Sequence, residues 1–147
     1  MCKIKNVPLS YMIHEVYKLF HQSVKKEADL LGINPTYRFV FMALHDSKEG
    51  LTQSEICDIV HHKKSSISLL LQEMENEQLI SREKSKTDSR QTIVKLTQKG
   101  YELDLKLKEV FARCEQKMYS NLSNEEVTQV KLSLDKIIDS LGGEGNV

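Results

Sequence analysis

The sequence lacks four things: a long apolar run, a paired cysteine pattern, an excess of charge of one sign, and the signature of a catalytic loop. Each absence removes a class of protein. A bilayer-spanning helix needs roughly 20 mostly apolar residues, and no such stretch occurs. The N-terminal segment from Met1 to Pro8 has neither the apolar core nor the cleavage site of a signal peptide. The cytoplasm is therefore the expected compartment, and no membrane partner is expected. Cys2, Cys57 and Cys114 are odd in number and far apart. That fits reduced thiols better than a disulfide framework or a zinc knuckle. There is no phosphate-cradling glycine loop, nucleophile elbow or metal motif, so neither an enzyme nor a cofactor is expected. Twenty-one basic residues balance 21 acidic ones, which argues against indiscriminate attraction to nucleic acid.

What remains is an ordinary globular composition over 147 residues, 39% hydrophobic and 29% charged, long enough for one domain with a core. The charge is unevenly placed. Eight basic and five acidic residues fall between His61 and Gly100, leaving 13 basic and 16 acidic for the rest. Within that region Glu73, Glu75 and Glu77 lie late in a predicted helix. The basic residues sit at its start and on the loop beyond it.

Periodicity and capping residues give the order of elements. A first helix is predicted from about Pro8 to Leu31, with Leu9, Ile13, Val16, Phe20 and Val24 at helical spacing, widened by Met12 and Leu19. Gly32 can take the left-handed conformation that ends it, with Ile33 packing back on the last turn. Asn34-Pro35 reads as an N-cap and first helical residue of a mostly buried second helix carrying Phe39, Val40, Phe41, Ala43 and Leu44. Thr52-Gln53-Ser54-Glu55 is a capping box opening a short third helix with Ile56, Ile59 and Val60 inward. His61-His62-Lys63 breaks it. A fourth helix follows from about Lys64 to Gln78, with Ile67, Leu70, Leu71 and Met74 on one face. Leu79 to Lys84 and Gln91 to Leu96 are two short strands. Thr97 caps a long fifth helix with a stripe of Leu103, Leu107, Val110, Cys114 and Met118. Ser123 and Glu126 form a second capping box, before a sixth helix with Val127, Val130, Leu134, Ile137, Ile138 and Leu141.

The fold class expected is mostly α (α+β): a winged helix-turn-helix with a two-stranded wing, and a helical dimerisation layer from the N- and C-terminal helices. The winged region would cover residues 34–97, the dimerisation helices 8–33 and 98–141, and a disordered tail 142–147. The outer helices carry more apolar stripe than the compact middle can cover, so a homodimer is the economical arrangement. It would present two DNA-reading helices, one per half-site.

In a helix-turn-helix the second helix lies in the major groove with its N-terminal residues nearest the bases. Lys63 and the face of Lys64, Ser65, Ser66, Ser68, Leu69 and Gln72, opposite the apolar face, are the candidates. Lys64 and Ser65 sit where helix N-termini meet phosphates. Ser68 and Gln72 suit base edges, and Leu69 suits a thymine methyl. On the wing, Arg90 can reach the minor groove, Asp88 is placed to brace its guanidinium, and Lys84 and Lys86 would meet phosphates. The bland alternatives are a solvated helix face and a solvated Asp–Arg pair.

Nearly the whole chain resembles the MarR family of winged-helix transcriptional regulators. The most specific pieces are Asp88-Ser89-Arg90, like the family's D-x-R wing, and Leu96-Thr97-Gln98-Lys99-Gly100, like its L-T-x-x-G helix start. Leu79-Ile80 and Leu51-Thr52-Gln53-Ser54-Glu55-Ile56 also fit. The resemblance implies a homodimeric regulator, a repressor or activator, on a pseudo-palindromic operator of double-stranded DNA. It also implies release by a small ligand or an oxidant. It makes Ser65, Ser66 and Ser68 recognition contacts and Arg90 the wing contact. The sequence departs from the pattern at His61, where glycine is frequent, at His62, where an apolar residue is usual, and at Leu69, where a basic one is frequent.

The resemblance further implies an effector pocket between the dimerisation layer and the winged helix. The candidates are His14, Tyr17, Tyr37, Arg38, Phe41 and His45, with His21 beside them, a mix suited to a small aromatic or anionic compound. The same residues would suit a plain core and interface. A redox switch needs an activated thiolate, and the family's peroxide-sensing branch places its cysteine near Ser10 here. His14 and His21 share a face, but no second tight pair of metal-binding residues accompanies them. An alternative to DNA binding is a winged helix used as a protein-interaction module.

Overall fold

The computed structural model describes residues 6–143. Cys2 and the greater part of the expected tail, residues 144–147, lie outside the described residues. The order is α1 (Leu9–Leu30), α2 (Tyr37–Leu44), β1 (Leu51–Thr52), α3 (Gln53–Val60), α4 (Lys64–Asn76), β2 (Ile80–Lys84), β3 (Thr92–Leu96), α5 (Gln98–Tyr119) and α6 (Asn124–Ser140). Contacts divide the chain into two units, one up to Phe111 and one from Ala112 onward.

In the first unit α1 ends as its sequence dictates. Gly32 has φ +66°, and the N–H groups of Gly32 and Ile33 bond back to the carbonyls of Asp29 and Ala28 at 3.1 and 3.0 Å. This closes the helix and buries Ile33. The next helix starts later than expected. Asn34 does not cap it; its side chain accepts the Thr36 N–H at 3.0 Å in a local turn, and α2 begins at Tyr37 behind Thr36. Asparagine's side chain competes well for nearby backbone N–H groups, which makes it as apt for a turn as for a cap.

The core is made by α2, α3, α4, the small sheet and the first turns of α5. It includes Tyr37, Val40, Phe41, Leu44, Ile56, Ile67, Leu71, Met74, Leu79, Val94 and Leu107. Leu70 is half-buried against it. Ile59, expected inward, is exposed, and Cys57 is half-buried in its stead. With 100° per residue, Ile56, Cys57 and Val60 make one stripe and Ile59 falls off its edge.

The sheet has three strands in the order β1-β3-β2, one more than the expected hairpin. Leu51 and Thr52 pair antiparallel with Val94 and Ile93. The hairpin register sets Ile80 opposite Leu96 and Lys84 opposite Thr92. A two-residue strand has no period to read, so only the partner strand reveals it.

The start of α5 explains its sequence signature. Thr97 Oγ1 accepts the Gly100 N–H at 3.0 Å and donates to the Gln78 carbonyl at 2.7 Å. Thr97 N–H donates to the Leu79 carbonyl at 3.1 Å. A Cβ on Gly100 would stand 2.1 Å from that same carbonyl oxygen, closer than any side chain allows.

The second unit holds the end of α5 and α6. Ser123 and Glu126 complete the expected capping box. Tyr119 donates to Glu115 at 2.6 Å, a bond that, with some burial, lifts its hydroxyl from 10.0 to about 12. Gly142, at φ +79°, and Gly143 close the last turn onto Asp139 and Ile138, so the first two residues of the expected tail are a helix cap. No residue of α6 is buried.

Candidate nucleic-acid interface

The third helix opens on the expected capping box: Glu55 N–H reaches Thr52 Oγ1 at 3.2 Å and Thr52 N–H reaches Glu55 Oε2 at 2.7 Å. It closes on His61 in the left-handed conformation, φ 53° and ψ 38°. A residue other than glycine is costly there, and histidine is among the more tolerant types. The turn then delivers α4, whose N-cap residue Lys63 makes no side-chain cap, so the first N–H groups of the helix are open to solvent.

Ile67, Leu71 and Met74 face the core. Lys63, Lys64, Ser65, Ser66, Ser68, Leu69 and Gln72 are all exposed. Residues 65, 68, 69 and 72 share one side of a helix by spacing alone, so the structure brings the expected helix residues together.

The C-terminal end of α4 is held by long-range contacts. Glu77 accepts the Tyr37 hydroxyl at 2.8 Å, and its carbonyl accepts from Lys99 Nζ at 2.7 Å. Gln78 turns left-handed at φ 61°. Arg82 Nε lies 3.1 Å from Glu75 Oε2, close enough for attraction although the N–H does not aim at the oxygen. These ties fix the helix from behind and leave its N-terminal half projecting.

The wing tip spans residues 85–91. Ser85 N–H bonds the Gln91 carbonyl at 2.9 Å, and Gln91 N–H bonds the Asp88 carbonyl at 3.0 Å. Asp88 accepts the backbone N–H of Arg90 at 3.0 Å. It therefore shapes the tip, and the expected brace on the guanidinium is not what its carboxylate does. An Asx turn reaches a backbone N–H only two residues along the chain, whereas a carboxylate–guanidinium clamp must also order a long side chain. Lys84, Lys86 and Arg90 are exposed. Among the described residues, the ion pairs at the wing involve Arg82 and, at 3.8 Å, Lys95 with Glu83. Lys84, Lys86, Arg90, Lys63 and Lys64 have no ion-pair partner among the described residues.

The expected effector residues do not converge. His14 and Tyr17 line an open groove of about 870 Å³ together with Lys18, His21 and the 32–36 turn. The Tyr17 and His21 rings lie 4.2 Å apart. Tyr37 and Phe41 are core residues. Burial, then the bond to Glu77, raises the Tyr37 hydroxyl well above its usual 10.0. Arg38 stacks over Phe111 at 4.9 Å. His45 Nδ1 lies 3.0 Å from Asp104 Oδ2, which Lys108 also reaches at 3.0 Å. Asp104, 1% exposed, gave no signal in the sequence, because its place on α5 reads as one polar residue beside an apolar stripe. Among the described residues no three His, Cys, Asp or Glu side chains group to hold a metal, and no helix is long and apolar enough to cross a membrane.

A capped helix, a tight turn, a projecting second helix and a β-hairpin with a basic tip together define a winged helix-turn-helix. The MarR family profile matches residues 31–91, from the end of α1 to the wing tip. The chain is 28% identical over 136 residues to the HTH-type transcriptional regulator MhqR of Bacillus subtilis (strain 168), covering 90% of this chain and 91% of that one. Its structure is similar to S. aureus MepR in a MepR–DNA complex, with a TM-score of 0.81 and 26% identity over 92% of this chain and 99% of MepR. Its fold is also that of apo MarR from E. coli, with a TM-score of 0.76 at 19% identity over 91% of this chain and 99% of that one. The chain is thus similar to MarR-family regulators, by profile over its winged region and by fold over nearly its whole length.

Proposed function

We propose that this protein is a DNA-binding transcriptional regulator, most simply a repressor, acting in the cytoplasm as a homodimer on a pseudo-palindromic operator. One observation carries the reading: the exposed start of α4 and the exposed wing together hold five cations, Lys63, Lys64, Lys84, Lys86 and Arg90, with no carboxylate partner among the described residues. Such charges release counterions when they meet phosphates. Ser65, Ser66, Ser68, Leu69 and Gln72 then face the base edges, Arg90 enters the minor groove, and Asp88 serves by holding the tip that carries Arg90. The chain's relatives are regulators rather than enzymes, and no catalytic role is assigned to any residue.

The dimer is formed by the helical ends, whose apolar residues stay uncovered in one chain. In α1 these include Leu9, Ile13, Val16 and Leu19, and in α6 Val130, Leu134 and Ile138. A small aromatic or anionic effector would use the α1 groove, with His14, Tyr17, Lys18 and His21. Tyr37, Arg38, Phe41 and His45 are engaged elsewhere and would act on it only indirectly.

The test is a pool of mixed duplexes titrated at two salt concentrations. Affinity should fall steeply with salt, and Arg90→Ala should weaken binding and reduce the salt slope by about 1. No binding at low salt would overturn the DNA reading and favour a winged helix that docks protein.

A further inference from the structure

His62 is the residue of the turn that the DNA-binding reading leaves unused, and its ring is held in a defined way. Its Nδ1 lies 2.6 Å from the Val60 carbonyl oxygen. A carbonyl only accepts, so Nδ1 carries a hydrogen and the neutral ring has its lone pair on Nε2. The ring packs against Phe39, with centroids 4.4 Å apart and planes at 44°. Among the described residues nothing bonds Nε2. The residue is exposed and stands immediately before Lys63, the uncapped entry to α4. An apolar side chain at this place would fill the gap beside Phe39 as well. What the imidazole adds is a fixed orientation and a site that takes a proton.

We infer that His62 is a phosphate contact of the DNA complex, and that it takes up a proton as the complex forms. The inference rests on the DNA-binding reading above. The surroundings set its sign. Around the ring, α2 and the turn before it contribute Asn34, Thr36 and Phe39, none of them charged, and α4 contributes Glu73. Along the chain stand His61, Lys63 and Lys64. A phosphate brought to the helix entry gives protonated Nε2 an acceptor, a charge-assisted hydrogen bond. The imidazole midpoint is thus higher in the complex than in the free protein. Affinity rises as pH falls, and the gain is lost as pH rises through the midpoint of the bound state.

The experiment measures affinity for a duplex enriched from the mixed pool, at constant ionic strength, between about pH 6 and about pH 8, where imidazoles titrate. His62→Asn keeps a planar donor for the Val60 carbonyl and cannot titrate. His61→Asn keeps the left-handed turn, which asparagine tolerates, and removes the neighbouring imidazole. An upward move of one pH unit in the His62 midpoint is about a tenfold gain in affinity at low pH. The wild type and His61→Asn should both show a gain of about that order, and His62→Asn less than about twofold. The His62 ring resonances, followed by NMR, should titrate at higher pH with duplex than without, which a purely structural ring would not do. A pH dependence that survives His62→Asn, or an unmoved His62 midpoint, overturns the inference while leaving the DNA reading intact. Absence of binding by the wild type even at about pH 6 and low salt overturns both.

Discussion

The winged middle of the chain and its helical ends treat their apolar residues in opposite ways. Between Ile33 and Leu107 the large apolar side chains of one face after another are covered, and Phe41, Ile56, Leu71 and Met74 are fully buried. In α6 the apolar stripe is just as regular, yet none of its residues is buried, and the first half of α1 is likewise exposed. Burial, and not periodicity, is what separates the two regions. A helix can be written with a complete apolar face and still need a second chain to use it. The middle therefore gets its stability from its own fold, and the ends get theirs from the proposed dimer.

The largest expected effect is on assembly. Val130→Asp combined with Leu134→Asp places two charges on the uncovered stripe of α6. Sedimentation at micromolar protein should change from dimer to monomer, with helical circular dichroism retained, because a lone chain leaves both positions in water. A dimer that survived would remove the reason given for the exposed stripe. Next in size is Phe41→Ala, which should cost about 3–5 kcal/mol in urea denaturation as a cavity opens in the closed core. Ile138→Ala, at another exposed position of the same stripe and measured in the monomeric background, should stay within about 0.5 kcal/mol. Similar costs at both positions would erase the contrast.

The two capping boxes sharpen it further. Thr52→Ala and Ser123→Ala each remove a helix cap worth about 1 kcal/mol. The first should lower the main unfolding transition. The second should reduce helical signal without moving that transition, if the unit from Ala112 onward melts by itself; a common shift would join the units into one cooperative body.

The smallest effect concerns Tyr37. Tyr37→Phe should cost about 1 kcal/mol near neutral pH through the lost bond to Glu77. The folded-state hydroxyl titrates above its usual 10.0, so this stabilisation is complete below about pH 10 and is lost as pH rises through the higher folded-state value. Denaturation at about pH 8 and about pH 11 should therefore show the wild type losing more stability than Tyr37→Phe. Parallel losses would mean that neither burial nor Glu77 holds the phenol in its protonated form.

Most of the candidate interface was legible because its logic is local. Thr52 with Glu55, Gly32 with Ile33, and the left-handed turn at His61 each involve residues a few positions apart. The face of Ser65, Ser68, Leu69 and Gln72 follows from helical spacing alone. Local chemistry also misled. Asn34 and Thr36 form a turn where a cap was expected, and Asp88 bonds a backbone N–H where a guanidinium was expected. In both cases a short polar side chain had two nearby uses, and the one ordering fewer torsions prevailed.

By itself the sequence determined the six helices, the two strands of the hairpin and which charges end at the wing tip, because each depends on neighbours along the chain. Tertiary structure decided what holds those parts in place: β1 on β3, Tyr37 on Glu77 across 40 residues, and His45 on Asp104 across 59. It also dispersed the expected effector residues between a groove and the core. Contacts at such separations form only after packing has met the entropy of closing the chain between them, and no short-range pattern records which distant partner that packing will bring.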